Sequence, residues 1–103
     1  MINQASGLPS TTFHRKNGQL VIYVFLQDTS GYIRKIRWDQ HGWSKNTEPP
    51  LVQAKSGASF SVVGWSDDDS EDHVRIYYFD THGTFSEYCI DNGRGQKGSD
   101  LPQ

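Results

Sequence analysis

The sequence has a single cysteine, no long apolar run and no excess of basic residues. The one cysteine, Cys89, excludes an internal disulfide and a cysteine-rich metal site. No apolar stretch approaches the roughly 18 residues of a membrane-spanning helix, and the N-terminus lacks a basic segment followed by an apolar one. We therefore expect no membrane insertion and no secretory leader. The protein is predicted to be soluble, either cytoplasmic or released without a leader, and its location stays open.

The charge balance limits the classes of partner, and the low hydrophobic content limits the size of the core. The 103 residues include 10 Lys and Arg against 12 Asp and Glu, so no basic excess exists to release counterions from a nucleic acid or an anionic membrane. Only 34% of the residues are hydrophobic and 13% are aromatic, which predicts a thin, aromatic-rich core. We expect stability to require more than one copy of the chain.

The apolar residues follow a strand pattern, with no helical period, which predicts an all-β fold. Residues 74–89 form the clearest hairpin, since two runs of β-branched and aromatic residues flank an Asp-Thr-His-Gly turn. If Gly83 closes a three-residue loop, Arg75 faces Cys89 and Tyr77 faces Glu87. Arg75 and Glu87 then become diagonal neighbours on one sheet face, within reach of one small polar ligand. The opposite face is predicted to carry Val74, Ile76, Tyr78, Tyr88 and Ile90.

The hairpin pattern occurs twice. Gly31 and Gly83 lie 52 residues apart, and at that offset Asp28-Thr29 overlays Asp80-Thr81. This predicts a single domain of two tandem repeats, about 1–52 and 53–103, each a four-stranded propeller blade. Residues 46–50, where two prolines break the strand pattern, are predicted to link the repeats, and a last short strand is expected in the polar tail 92–103. In the first repeat one face is predicted to carry Tyr23, Phe25, Ile33, Lys35 and Arg37, and the other Ile22, Val24, Leu26, Ile36 and Trp38. Stacked blades would form a site where such faces meet.

These residues resemble the repeats of the fungal fucose-specific lectins and their short two-repeat bacterial relatives. The second repeat carries Val74-Arg75-Ile76-Tyr77 and Glu87-Tyr88-Cys89-Ile90-Asp91, and the first carries Trp38-Asp39 and Gly42-Trp43. The resemblance implies a six-bladed β-propeller in which fucose binds between blades, to Arg and Glu of one blade and Trp residues of the next. It implies a non-catalytic lectin for L-fucose or fucosylated glycans that needs no cofactor and no metal.

Departures from the family pattern indicate that the two kinds of cleft between blades are not equivalent. The first repeat has Tyr23 and Lys35 at the Arg and Glu positions, and the second has Ile90 and Gly95 at the Trp positions. The resemblance therefore implies one degenerate cleft and one working cleft per chain, the latter built from Arg75, Glu87, Trp38 and Trp43. Because the Trp residues come from the blade after the Arg blade, the working cleft joins two chains. Two blades cannot close a ring, so we predict a homotrimer of six blades; the alternative is that the chain is a fragment of a longer propeller.

The residue types suit a deoxy sugar. Its C–H flank and methyl group can stack on an indole such as Trp43, while a rigid Arg75 donor and a Glu87 acceptor hold its hydroxyls with their charges compensated. Trp38 could either stack or belong to the core, and Trp65 is predicted to be core. Arg75 and Glu87 could also be a simple cross-strand ion pair.

Other functional classes find less support in the residues. A glycosidase needs two carboxylates flanking one bond, and the predicted cleft offers only Glu87, so we expect no enzyme. The four histidines lie near turns without ligand spacing and are predicted to be solvated. The acidic run 67–72 lacks the calcium-loop pattern and is predicted to be a charged turn. A protein-interaction propeller remains an alternative, with Trp38, Trp43 and Arg75 as interface anchors.

Overall fold

The computed structural model describes residues 8–44 and 48–103, which form two antiparallel sheets. The first sheet has the order β1 (Ser10–His14), β2 (Leu20–Gln27), β3 (Tyr32–Asp39), β4 (Gly42–Trp43), and the short β5 (Val52–Gln53) also pairs with β3. The second sheet has the order β6 (Ser61–Ser66), β7 (Asp72–Phe79), β8 (Phe85–Asp91), β9 (Arg94–Asp100). The described residues contain no helix able to cross a membrane. The all-β prediction is confirmed.

The two central hairpins close with the same turn. Gly31 and Gly83 both adopt positive φ, at 89° and 82°, a conformation that glycine enters without strain. Just before them, the Oδ1 atoms of Asp28 and Asp80 each accept two backbone N–H bonds that tie the loop together. This turn chemistry explains why the sequence pattern repeats at this point.

The strand register follows from these turns and matches the one predicted. Arg75 pairs with Cys89, and Tyr77 pairs with Glu87. In the first sheet Tyr23 pairs with Arg37. The two faces of each hairpin therefore carry the residues expected of them.

The core lies between the two sheets. It is made of one face of β2 and β3 packed against one face of β7 and β8, and its fully buried members are Val21, Tyr23, Phe25, Ile33, Val74, Ile76, Tyr78 and Ile90. The rings of Phe13, Tyr23 and Phe25 stack in a row with centroids 6.1 and 6.0 Å apart. A Cβ at Gly64 would lie 2.9 Å from the Phe13 ring, so glycine permits β1 to approach β6 this closely.

Two polar contacts link the first sheet to later parts of the chain. The Arg15 guanidinium donates from Nε and Nη2 to both carboxylate oxygens of Asp72, at 3.0 and 2.7 Å. The buried Gln27 amide donates to the carbonyls of Ala54 and Lys55, at 3.3 and 3.1 Å, and so anchors the segment that leads to β6. The Arg15–Asp72 pair thus joins the two sheets, and the Gln27 contacts tie the first sheet to the segment before the second.

Some expectations about the chain ends and the linker have a different outcome. The last strand, β9, has seven residues, longer than the short strand expected in the tail. Residues 1–7, and residues 46 and 47 of the predicted linker 46–50, lie outside the described residues. The β5 bridge at Val52–Gln53 pairs with the first sheet at the predicted boundary between repeats, and the division at 52/53 stays a prediction.

Candidate functional site

Each sheet also has a face turned away from the core. We call them the first outer face, which carries Trp38 and Trp43, and the second outer face, which carries Arg75 and Glu87. Trp38 and Trp43 are direct cross-strand partners in β3 and β4, with Trp38 half-buried and Trp43 57% exposed. Trp38 therefore lies outside the core cluster.

The second outer face presents a braced guanidinium. Nη1 of Arg75 donates to Asp91 Oδ1 at 2.8 Å and to the Val74 carbonyl at 3.0 Å. Within residues 8–44 and 48–103, its Nε and Nη2 atoms have no hydrogen-bond partner. Partial burial opposes the charge of Arg75, but the bond to Asp91 and the nearby acidic groups together raise its pKa. The two unbonded nitrogens are thus available to an external acceptor.

Glu87 lies on the same face without an ion-pair partner among the described residues. Its carboxylate accepts a long bond from the Cys89 thiol, 3.6 Å. Burial first, and the nearby Glu87 carboxylate second, raise the pKa of the Tyr77 hydroxyl. A side chain at position 98 would collide with it, since a Cβ at Gly98 would lie 2.5 Å from Glu87 Oε1. The alternative reading of Arg75 and Glu87 as a simple ion pair is wrong, because Arg75 pairs with Asp91 instead.

A chain of polar contacts continues from Asp91. His73 Nδ1 lies 2.7 Å from Asp91 Oδ1, and its Nε2 lies 2.8 Å from Asp67 Oδ2. The hydrogen bonds to Asp67 and then Asp91 raise the pKa of His73. The Trp65 ring stacks on His73 at 5.4 Å and lies under the Arg75 guanidinium at 5.2 Å, within cation–π range.

Two sequence-based expectations fail on this face. His73 was expected to be solvated, yet it bridges two carboxylates; Trp65 was expected in the core, yet it is 42% exposed. Both errors have one cause, because Trp65 pairs directly with His73 and so shares the face of Arg75. Extending the hairpin register by one strand, to β6, would have placed both residues correctly.

The acidic turn 67–72 also brings Asp67, Glu71 and His73 together, with one possible ligand atom from each within 4.8 Å of the others. Asp67 Oδ1 already accepts the backbone N–H groups of Asp69 and Glu71, and both His73 nitrogens bond to carboxylates. These contacts are those of a charged turn closed by its own hydrogen bonds. We assign no metal to it.

A cleft of about 360 Å³ opens between the two sheets of the chain. It brings Lys35 together with Ile90 and Gly95, the residues predicted to meet in the degenerate cleft. Tyr23, predicted there as well, does not line the cleft and is buried in the core, 1% exposed. The remaining lining residues are Glu48, Pro49, Pro50, Leu51, Tyr88 and Gly93.

Sequence reasoning missed the contribution of Glu48 to this cleft. Lys35 Nζ lies 3.6 Å from Glu48 Oε2, an ion pair between β3 and the segment after β4. The segment 46–50 was read only as a linker because two prolines break the strand pattern. A charged residue immediately before Pro-Pro was the one available indication that the segment has a surface role.

The two halves of the predicted working site do not meet within one chain. The inner faces of the sheets pack against each other, so the first and second outer faces point away from each other. Trp38 and Trp43 therefore lie on one side of the molecule, and Arg75 and Glu87 on the other.

Several solved structures share this fold. A fucose lectin from Kordia zhangzhouensis, in complex with methyl-fucoside, is 25% identical with a TM-score of 0.79 over 94% of this chain. Two fungal proteins are more distant in sequence: Aleuria aurantia lectin (19% identity, TM-score 0.80, 95% of this chain) and AofleA from Arthrobotrys oligospora (17%, 0.66, 95%). The chain spans less than two thirds of these proteins, namely 66%, 31% and 28% of their lengths. A comparison with curated proteins gave no match.

The fold and its faces thus define a protein built from the propeller blades of sugar-binding lectins. Residues 3–102 match the fungal fucose-specific lectin family, and the chain belongs to that family. The resemblance seen in the sequence is confirmed. Because lectins bind sugars without transforming them, membership also agrees with the expectation of a non-catalytic protein.

Proposed function

We propose that this chain is a lectin that binds L-fucose or fucosylated glycans in a cleft between blades of two copies. One copy supplies Arg75 and Glu87, and the next supplies Trp38 and Trp43. The observation that carries the proposal is the cleft inside the chain, where the face of Lys35 meets Ile90 and Gly95 of the other sheet. At the 52-residue offset these positions correspond to Glu87, Trp38 and Trp43. The same packing step between two copies would bring the outer faces together.

Each residue has a distinct part in binding. Arg75 offers Nε and Nη2 in a rigid fork, held in place by Asp91, to the ring and hydroxyl oxygens of the sugar. Glu87 accepts from a hydroxyl. Trp43, more than half exposed, stacks on the apolar flank of the sugar, and Trp38 beside it extends the aromatic surface.

We propose that three copies complete a six-bladed ring. The outer faces expose large apolar side chains, at 57% for Trp43, 48% for Val63, 42% for Trp65 and 43% for Phe79. Apolar patches of this kind on a small protein are typical of interaction surfaces. A second copy covers them and at the same time completes the sugar cleft.

Calorimetric titration with L-fucose, D-galactose and D-mannose, on a sample whose mass is set by light scattering, tests the proposal. We expect a trimer that binds L-fucose in preference, at about one site per chain. Arg75→Ala should weaken binding by at least about a hundredfold, because two charge-assisted hydrogen bonds are lost. Arg75→Lys keeps the charge without the planar fork of donors, so its fucose affinity should lie between those of the wild type and Arg75→Ala.

Two outcomes would contradict the proposal. A folded monomer that binds fucose would overturn the shared cleft, and a folded trimer that binds no fucose would overturn the lectin function. The second outcome would favour the protein-interaction alternative, with Trp38, Trp43 and Arg75 as anchors.

A further inference from the structure

We propose that the acidic turn 67–72 and His73 position the fucose-binding guanidinium of Arg75, and that they release it when His73 loses its proton. The inference rests on the proposed function of the second outer face and adds a regulation of the same cleft. Neither Asp67 nor His73 would touch the sugar, because both act through Asp91. They are therefore positioning residues.

The acidic turn supplies a fixed acceptor for His73. Asp67 Oδ1 accepts the backbone N–H groups of Asp69 and Glu71, at 2.9 and 3.0 Å, so this oxygen closes the turn. The other oxygen, Oδ2, faces His73 Nε2 at 2.8 Å. One carboxylate thus ties the imidazole to a loop that is closed by its own hydrogen bonds. This gives the acidic run of the sequence a role in the site.

The imidazole and the guanidinium share one acceptor. His73 Nδ1 and Arg75 Nη1 both bond to the Oδ1 atom of Asp91, at 2.7 and 2.8 Å. The Trp65 ring contacts both groups, with its centroid 5.4 Å from that of the imidazole and 5.2 Å from the Arg75 Cζ atom. Because the two donors share an oxygen, a movement of Asp91 that follows a change at His73 also moves the partner of Arg75.

Only the doubly protonated imidazole satisfies both carboxylates. In either neutral tautomer of His73, one ring nitrogen presents a lone pair to a carboxylate oxygen at 2.7 or 2.8 Å, so one of the two contacts must open. The hydrogen bonds to Asp67 and then Asp91 raise the pKa of His73. The contact therefore opens on the alkaline side of the ordinary histidine range.

Other charged groups also surround this imidazole. Glu71 of the turn has a carboxylate oxygen within 4.8 Å of a His73 ring nitrogen, and Arg94 of β9 is the cross-strand partner of Asp91. In the proposed ring, a second copy would add the charged and titratable groups of its first outer face, His14 and Arg34. His14 is the one histidine among these groups, so the test includes a variant at its position.

A comparison of the two repeats links this network to the guanidinium. At the 52-residue offset, the counterparts of Trp65, Asp67, His73 and Arg75 in the first repeat are Phe13, Arg15, Val21 and Tyr23. The aspartate is common to both repeats, as Asp91 and Asp39. The other members of the network thus occur in the repeat that has the guanidinium and are replaced in the repeat that lacks it.

The test is calorimetric titration of the full-length protein with L-fucose, repeated from about pH 6 to about pH 9. The wild-type affinity should fall about threefold over this range, in step with the titration of His73 followed by NMR. Asp67→Asn should abolish the fall. Its amide oxygen can still close the turn, and its NH2 group can donate to a neutral Nε2 while the Nδ1–H of His73 stays on Asp91. The pKa of His73 should therefore be lower in Asp67→Asn than in the wild type.

Two controls and a second readout separate positioning from a purely structural role. Asp68→Asn removes an exposed carboxylate from the same turn, and it should keep the wild-type pH profile, as should His14→Asn. The carbon-detected NMR signal of the Arg75 guanidinium, assigned with Arg75→Lys, reports the positioning without any sugar. It should shift with the protonation of His73 in the wild type and stay constant over the same range in Asp67→Asn.

The inference is overturned if wild-type fucose affinity is constant over this pH range, or if Asp67→Asn declines as the wild type does. Either result would leave the proposed function standing, because fucose would still bind. If fucose binds at no pH, the proposed function falls and the guanidinium signal decides alone. An Arg75 signal that follows His73 then supports the positioning, and one that does not overturns it.

Discussion

The inner cleft and the two outer faces are built from equivalent positions of the two repeats. In the inner cleft these positions meet within one chain, whereas on the outer faces they lie apart. Within the chain, Lys35 meets Ile90 and Gly95. Their counterparts Glu87, Trp38 and Trp43 lie on faces that only another copy could bring together. The full set of residues suited to fucose is thus found where chains would meet, and a different set where one chain suffices. In the proposed assembly, fucose binding would report on oligomerisation.

The inner and outer faces also differ in energetics. The inner faces bury a continuous aromatic and aliphatic core, with Tyr23, Phe25, Ile76 and Tyr78 at most 1% exposed. The outer faces leave large apolar side chains in water. Folding of the single chain therefore depends mainly on the inner contact, and the outer faces retain apolar surface for association.

The largest expected effect is the difference in stability between substitutions of a buried and an exposed phenylalanine. Phe25 is fully buried between the sheets, and Phe25→Ala should lower the free energy of unfolding by about 3 to 5 kcal/mol through lost burial and the cavity left behind. Phe79 is 43% exposed on the second outer face and tilted on Phe85 at 5.2 Å. Phe79→Ala should therefore lower the free energy of unfolding of the chain by less than about 1 kcal/mol. Urea denaturation measures both. Equal losses would show that the outer face contributes as much to stability as the core.

Two aspartates that bind arginines provide the next test. Asp72, mostly buried, holds Arg15 across the two sheets, so Asp72→Asn should destabilise the fold by about 2 kcal/mol. Asp91 braces Arg75 on the second outer face, so Asp91→Asn should chiefly weaken fucose binding. Denaturation and calorimetry on both variants separate these roles. If Asp91→Asn left fucose affinity unchanged, Arg75 would not need this brace.

The tryptophan half of the proposed site predicts a smaller effect. Trp43→Ala removes an exposed indole and should lower fucose affinity about tenfold, the loss of one aromatic stacking surface. Stability should hardly change, because the side chain is outside the core. Ile90→Ala, at the counterpart of Trp38 in the inner cleft, should do the opposite and destabilise the chain while leaving fucose affinity intact. A fucose affinity unaffected by Trp43→Ala would exclude this residue from the site.

The sequence was sufficient to predict the hairpins, because turn chemistry and alternation are local. Asp80 and Gly83 set the loop, and the loop sets the register of Arg75 and Glu87. It was also sufficient for the contact of Lys35 with Ile90 and Gly95, since the 52-residue repeat combined with the family resemblance shows which faces meet.

Sequence reasoning failed where residues from three different segments meet. The bridge of His73 between Asp67 and Asp91 needs a loop, a strand and the end of another strand to be placed together. Glu48 reaches the inner cleft from an irregular segment, to which neither periodicity nor the repeat applies. Such contacts depend on tertiary packing, which local patterns do not encode.

The smallest expected effect is a pH dependence that belongs to the second outer face. Both nitrogens of His73 face carboxylates, so the imidazole can donate both hydrogen bonds only when protonated. Asp67 and Asp91 raise its pKa above the ordinary value of 6.5. The resulting stabilisation is fully present below the unfolded-state pKa and is lost as pH rises through the higher folded-state pKa. Stability should therefore fall modestly on the alkaline side of 6.5.

Histidine NMR titration and urea denaturation across that range measure this effect. His73→Asn, which cannot titrate, should lack the alkaline fall, while the exposed His82→Asn is the matched control and should retain it. Since Asp91 Oδ1 also accepts from Arg75, loss of the His73 proton disturbs the brace of the guanidinium. Fucose affinity should decline over the same pH interval. A His73 that titrates at or below 6.5, or a fucose affinity that stays constant over this interval, would break the link between this bridge and the second outer face.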